Sequence, residues 1–212
     1  MQSEKAIRYR LAIISSNDLN EETNMRLVCN FGINDLRDQR KTSKELNLWC
    51  NMLNRCYSEK LHARIPTYKD CSTSKEFKRY SDFKNWCQGQ IGFGLDDWQL
   101  DKDILQKGNK EYHPDKCVFI PKEINLFIRV KKQARGEFLI GVKRDKWENY
   151  IAQISIHGEN IYLGLFRSEI DAFQAYKQTK EAHIKVLANK YKSEIDPRAY
   201  TALMNYQVEI TD

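Results

Sequence analysis

Hydrophobic and polar positions repeat with period two and then with period 3.6 along residues 138–191. Phe138-Leu139-Ile140-Gly141-Val142-Lys143-Arg144 and Asn149-Tyr150-Ile151-Ala152-Gln153-Ile154-Ser155-Ile156 are short runs rich in β-formers. His157-Gly158-Glu159 reads as a turn, and Ile161-Tyr162-Leu163-Gly164-Leu165-Phe166 as a third run. From Ser168 the apolar positions are Ala172, Phe173, Ala175, Tyr176, Thr179, Ala182, Val186 and Leu187, which is helical spacing. Ser168 suits the N-cap, with Asp171 three residues on as a weaker capping box. The pattern predicts three antiparallel strands and a helix of roughly five turns over residues 137–192. Such a helix buries one face of the sheet and leaves the other open.

Strand side chains alternate, so Tyr150, Ala152, Ile154 and Ile156 share one face of the second strand. Ile151, Gln153, Ser155 and His157 share the other. The first set suits the helix. The second, with Lys143, Asn160 and Tyr162 from the flanking strands, makes a polar and partly aromatic open face. A ribbon of strands fits the major groove of DNA, where amides read base edges and basic side chains hold phosphate.

Gly141-Val142-Lys143, Trp147, Tyr150-Ile151-Ala152-Gln153-Ile154, Tyr162-Leu163-Gly164-Leu165-Phe166 and Ala172-Phe173-Gln174-Ala175-Tyr176 follow one another in an order that resembles the ethylene-response-factor (APETALA-two) type of DNA-binding domain. The resemblance implies a sheet that reads double-stranded DNA, with contacts from Lys143, Arg144, Lys146, Trp147, Gln153, Ser155, Asn160 and Tyr162. The chain departs from the family at Ile140, Ser155 and Asn160, where the family has arginines. It also has Gln153 in place of Glu and Tyr162 in place of Trp, so its sequence preference need not be the family's. The plain alternative is a ββα packing module.

Upstream, Ser43 precedes a helical pattern with Leu46, Trp49, Cys50, Leu53, Cys56 and Tyr57. Phe77, Tyr80, Phe83, Trp86 and Cys87 mark a second helix whose aromatic stripe reads as core. Arg8 to Ser15 reads as a short strand, and residues 27–35 as a strand and loop. The run Trp98-Gln99-Leu100-Asp101-Lys102-Asp103-Ile104-Leu105 alternates like a strand. Lys107-Gly108-Asn109-Lys110 is turn chemistry. Cys117-Val118-Phe119-Ile120 is a second strand. Pro121 opens a helix that carries Ile124, Leu126, Phe127 and Val130.

Strand, loop, strand and helix within residues 98–130 resemble the ββα finger of the HNH endonuclease family. Leu100-Asp101-Lys102-Asp103 stands at that family's Asp-His pair, Asn109 lies in the loop, Pro114-Asp115-Lys116-Cys117 leads into strand two, and Asn125 stands on the helix. The resemblance implies that Asp101 and Asn125 hold one divalent metal, Mg²⁺ or a similar hard ion, which would stabilise the leaving oxygen of a phosphodiester. Lys102 occupies the place of the general-base histidine. A lysine with an ordinary pKa of about 10.4 is protonated at neutral pH and takes no proton from water unless burial lowers that value. His113 on the loop and Asp103 are the other candidate bases. An active nuclease and a finger retained only as a DNA-binding scaffold both remain open.

Composition narrows the class. Of 212 residues, 41% are hydrophobic and 30% charged, enough apolar material for a packed core. No apolar run approaches the roughly 18–20 residues that span a bilayer. Met1-Gln2-Ser3-Glu4-Lys5 lacks the apolar core of a signal peptide. The six cysteines have no close Cys-x-x-Cys pairing and read as reduced thiols of an intracellular, cytoplasmic protein. A zinc site drawing on Cys50, Cys56, Cys71 and Cys117 is the disfavoured alternative to buried thiols. The formal net charge is +6, and residues 135–212 hold 11 basic and 11 acidic side chains. The positive excess therefore lies upstream, where it would add phosphate contacts; a solvated lysine-rich surface is the bland alternative.

The expected organisation is α+β. An N-terminal segment of undetermined structure (1–43) precedes a helical region with an HNH-like ββα finger (44–130). A basic linker (131–136) with Lys131, Lys132 and Arg135 lies along phosphate. A three-stranded sheet packed on one helix (137–192) and a C-terminal tail (193–212) that packs back on the body complete the chain. The order of finger and sheet module resembles phage-encoded, homing-endonuclease-like proteins, which implies action on DNA in a host cytoplasm. Three functions follow: a metal-dependent endonuclease or nickase, a non-catalytic sequence-specific DNA-binding protein, or a host-directed factor without DNA affinity.

Overall fold

The computed structural model describes residues 27–36, 43–129 and 137–212. Along these the chain forms helices α1 (Lys44–Tyr57) and α2 (Glu59–Arg64), strand β1 (Ser72–Thr73), helix α3 (Tyr80–Gln88), strands β2 (Trp98–Asp101), β3 (Glu111–Tyr112) and β4 (Val118–Pro121), and helix α4 (Lys122–Ile128). Strands β5 (Val142–Arg144), β6 (Tyr150–Ile156) and β7 (Glu159–Phe166) follow, then helices α5 (Glu169–Lys190) and α6 (Pro197–Met204). β1 pairs with β3 in parallel, β2 with β4 antiparallel, and β5-β6-β7 form an antiparallel sheet. The class is α+β, with the three-stranded sheet packed on a helix.

The chain divides into two compact units. One holds the described residues up to Gly89 with Lys110–Asp115; the other holds those of Gln90–Asn109 and Lys116–Asp212. The boundary after Gly89 falls inside the expected 44–130 stretch, and the short segment that carries β3 returns to the first unit to pair with β1. Arg8 to Ser15 and the linker residues Lys131, Lys132 and Arg135 lie outside the described residues.

In the first unit, Ser43 caps α1 by accepting the Leu46 N–H. The face that α1 buries carries Trp49, Met52, Leu53 and Cys56. Trp49 satisfies its indole N–H on the Phe77 carbonyl at 2.9 Å, and Phe77 packs edge-on against Phe83 and Trp86. The aromatic stripe is core, as its spacing predicts, but Phe77 lies in a 3₁₀ turn (Lys75–Phe77) before α3 begins. Residues 28–32 form a tight turn closed by a Val28–Gly32 bridge instead of a strand, and Ile33 then pairs with Arg79.

In the second unit, α5 serves two apolar clusters. Ile154, Phe173, Tyr176 and Val208 form one, beneath the sheet. Val118, Ile120, Ile124, Ile184, Leu187, Ile195, Ala199 and Leu203 belong to the other, so β4 and α4 pack on α5 and α6. The tail is fixed by Lys177 Nζ, which donates to the Val208 carbonyl at 2.6 Å, and by the Val208 N–H, which donates to Glu181 at 2.8 Å. Strand β2 stops at Asp101 and not at Leu105. The Asp101 carboxylate accepts the N–H groups of Asp103 and Ile104 and curls the chain out of the ladder. Pro121 ends β4 with extended geometry, and the helix begins one residue later.

The sheet is closed by a two-residue turn, His157-Gly158, with φ of 53° and 85°. Both angles are those of the hairpin turn whose twist matches the strands, and a glycine is at ease there. Strand β7 carries one extra residue: Ala152 faces Gly164 while Gln153 faces Tyr162. This bulge turns both Leu163 and Gly164 toward the helix, which strict alternation does not foresee.

Candidate nucleic-acid interface and ββα site

Cross-strand register arranges the open face in three rows. Lys143 faces Ile151, which faces Leu165; Gln153 faces Tyr162; Ser155 faces Asn160. Lys143, Ser155, Asn160 and Tyr162 are exposed, and Gln153 is half-buried. Tyr162 and Leu165 are 63% and 52% exposed, so the face is amphipathic and not purely polar. The opposite face is covered: Ala152 is fully buried and Ile154 nearly so.

Three of the expected contact residues lie on the β5-β6 turn or beside it. Asp145 accepts the N–H groups of Trp147 and Asn149 at 2.8 and 2.9 Å and holds that turn. Trp147 stands 70% exposed, with Lys146 Nζ 4.2 Å over its ring. Arg144 is placed differently from the expectation. It faces Tyr150, whose side chain belongs to the helix side, and its guanidinium lies 3.6 Å from Glu148 and 5.7 Å from the Tyr150 ring. His157 also leaves the open face. Its ring is 6.0 Å from that of His183 on α5, because a left-handed turn residue no longer obeys strand alternation.

In the ββα segment the expected catalytic residues hold one another. Lys102 is buried, and its Nζ donates to Asp103 Oδ1 and to the Asn109 carbonyl, each at 2.8 Å. Asn109 is buried as well and returns a bond from Nδ2 to the Lys102 carbonyl at 2.7 Å. This reciprocal pair closes the loop 102–109. Asn125 on α4 donates to Gln99 Oε1 on β2 at 2.8 Å, a partner the sequence reading missed. His113 belongs to the other unit. Its Nδ1 accepts the Asp115 N–H at 3.1 Å, and its Nε2 lies 3.9 Å from Glu76.

A metal at this segment would use the two oxygens these bonds leave over, Oδ2 of Asp101 and Oδ1 of Asn125. Among the described residues no group of three or more His, Cys, Asp or Glu side chains is placed to hold an ion. All six cysteines are free thiols, and Cys117 lies in a different unit from Cys50, Cys56 and Cys71. No described helix is long and apolar enough to cross a membrane.

Burial, reinforced by the neighbouring Asp103 carboxylate, pushes the Asp101 carboxyl up to about 6. A carboxyl whose folded value exceeds its unfolded one makes the native state hold the proton longer, so stability falls as pH rises through the window between about 4 and 6. Asp101→Asn keeps an acceptor for both backbone N–H groups and carries no charge. The variant should be more stable than the parent at neutral pH by an amount on the order of 1–3 kcal/mol. The gap should close below about pH 4. Melting curves of both proteins across that range check it; a gap independent of pH would mean that the charge is not the cause.

Searches against family models, curated proteins and solved structures return no match to this chain.

Proposed function

We propose that this protein binds double-stranded DNA, with the open face of β5-β6-β7 in the major groove and the ββα segment acting as scaffold. One observation carries the reading: a three-stranded sheet with one face sealed by α5 presents Lys143, Gln153, Ser155, Asn160 and Tyr162 outward in register. Neighbouring strands stand about 4.8 Å apart, so three strands fit a groove about 12 Å wide. Gln153 is suited to base edges, Tyr162 and Leu165 to thymine methyls and sugars, and Lys143 to phosphate. The ordered sequence blocks that resemble the ethylene-response-factor type of domain support the same reading.

The scaffold role is favoured over catalysis because Lys102, Asn109 and Asn125 are bonded within the segment. The second reading, metal-dependent nicking, rests on the oxygens left over on Asp101 and Asn125. Incubation with supercoiled DNA in Mg²⁺ or Mn²⁺ separates the two, since nicked circles would favour the second. Action in a host cytoplasm belongs to the resemblance with phage-encoded proteins.

Binding titrations on a selected duplex and a random duplex at two salt concentrations test the main reading. Gln153→Ala and Tyr162→Ala should each reduce the preference for the selected duplex by about 1–3 kcal/mol. Lys143→Ala should weaken both duplexes alike and lower the salt slope by about one. Parent-like behaviour of all three variants would remove the open face as the DNA face. Absence of DNA binding by the parent would favour a protein-directed factor.

A further inference from the structure

Helix α5 buries Tyr176, Ile184 and Leu187, and among them Lys180, which is 4% exposed. Position 180 lies four residues from both Tyr176 and Ile184, so an ammonium group occupies a core position of the helix. Among the described residues no hydrogen bond or ion pair reaches its Nζ. The group lies 5.7 Å from the Tyr176 ring centroid and 6.0 Å from that of Phe127. Asp212, the acid that acts on it through space, is paired with Lys107 at 2.6 Å and accepts the Glu209 N–H. Burial lowers the Lys180 pKa from the ordinary lysine value.

A cavity of about 750 Å³ lies beside this group, bounded by α4, α5, the stretch 138–142 and the edge of β6 that β5 leaves uncovered. That volume is in the range of small-molecule sites. Phe127, Leu139, Ile140 and Tyr176 supply apolar wall, and Lys180 and Arg129 supply positive charge. The one acid in the lining, Glu123, already accepts hydrogen bonds from Lys190 and Tyr191, each at 2.6 Å. The cavity is thus part apolar and part polar, and it borders a largely buried lysine whose Nζ has no ion-pair partner among the described residues, an arrangement that costs stability until an anion completes it.

We infer that this cavity binds a small organic anion, an aromatic or branched apolar body bearing one acid group, with the acid paired to Lys180 Nζ and the body against Phe127 and Tyr176. Gln153, Ser155 and Asn160 of the DNA face also reach the rim of this cavity, but the charge pairing at Lys180 uses none of them, so Lys180 variants test this inference apart from the DNA reading.

Fluorescence titration of the full chain with 8-anilinonaphthalene-1-sulfonate tests it, beside the neutral N-phenyl-1-naphthylamine. The expected result is one sulfonate per chain with blue-shifted emission. Lys180→Met should weaken that binding about tenfold or more, while leaving the neutral dye unaffected. The same variant should melt about 2–4 °C higher, because a lone buried charge is replaced by an apolar chain of similar length. Lys180→Arg keeps the charge and should keep the sulfonate. Three results would overturn the inference: no sulfonate binding by the parent, equal binding by parent and Lys180→Met, or a neutral dye bound as tightly as the sulfonate. DNA titration of Lys180→Met, expected to match the parent, keeps this outcome separate from that of the DNA reading.

Discussion

Lys102→Ala is expected to destabilise the ββα segment by about 2–4 kcal/mol. The change removes both Nζ bonds and leaves the Asn109 carbonyl buried without its charged donor. Asp103, about half exposed, can be rehydrated, which keeps the loss below that of a fully buried ion pair. Thermal melts of parent and variant measure the effect. Lys102→His asks the sharper question. A retained nuclease lacking only its base should gain nicking activity from this change. A structural clamp should gain none and lose stability, because an imidazole is too short to span Asp103 and the Asn109 carbonyl together. The geometry predicts the second outcome: no nicked circles and a lower melting temperature. Nicking by the histidine variant, with stability unchanged, would return the segment to catalysis.

Gly141→Ala is expected to cost about 2–5 kcal/mol. Gly141 has φ of 78°, and a Cβ there would lie 2.1 Å from Cδ2 of Tyr176. The left-handed backbone alone costs a non-glycine residue about 1–2 kcal/mol. The rest comes from the Tyr176 ring, which is 7% exposed and packed in the cluster beneath the sheet. The Gly141 carbonyl also accepts the Gln153 N–H at 2.9 Å, so any shift of this residue disturbs the entry of β5 and the strand that carries Gln153. DNA binding should fall together with stability, unlike the Gln153→Ala and Tyr162→Ala variants, which should bind altered but fold normally. The double variant Gly141→Ala/Tyr176→Leu should recover the part of the loss due to the clash but not the part due to φ, a non-additivity expected of residues in contact. Equal melting temperatures for parent and Gly141→Ala would show that the turn before β5 is looser than its contacts indicate.

The switch from period two to period 3.6 near Ser168 was enough to place the sheet and α5, since a half-buried strand and a helix each print their buried side onto the sequence. Ser43 and Ser168 marked true helix starts because an N-cap is a local bond within three residues. Alternation made most of the open face legible for the same reason, but the pairing of Gln153 with Tyr162 follows from a two-residue turn where the sequence suggested three. The bulge at Leu163 was not legible, because an extra residue leaves the composition of the strand unchanged.

The roles of the polar core residues came only from the tertiary structure. Lys180 sits one turn from two buried neighbours, yet a lysine in a helix reads as solvent-facing until the packing of α4 and the stretch 138–142 around it is seen. Lys102 and Asn109 looked like a displaced base and a loop ligand, and their reciprocal bonds depend on a loop closure that spacing does not encode. Arg144 belongs to a basic run in sequence but falls on the helix side by register. The finger-like segment and the sheet module, separable as blocks of sequence, share α5 as common core. Periodicity, caps and turns are set by neighbours a few residues away and can be read in one dimension. Which buried polar group meets which partner is decided by contacts between residues remote in the chain, and so by the fold.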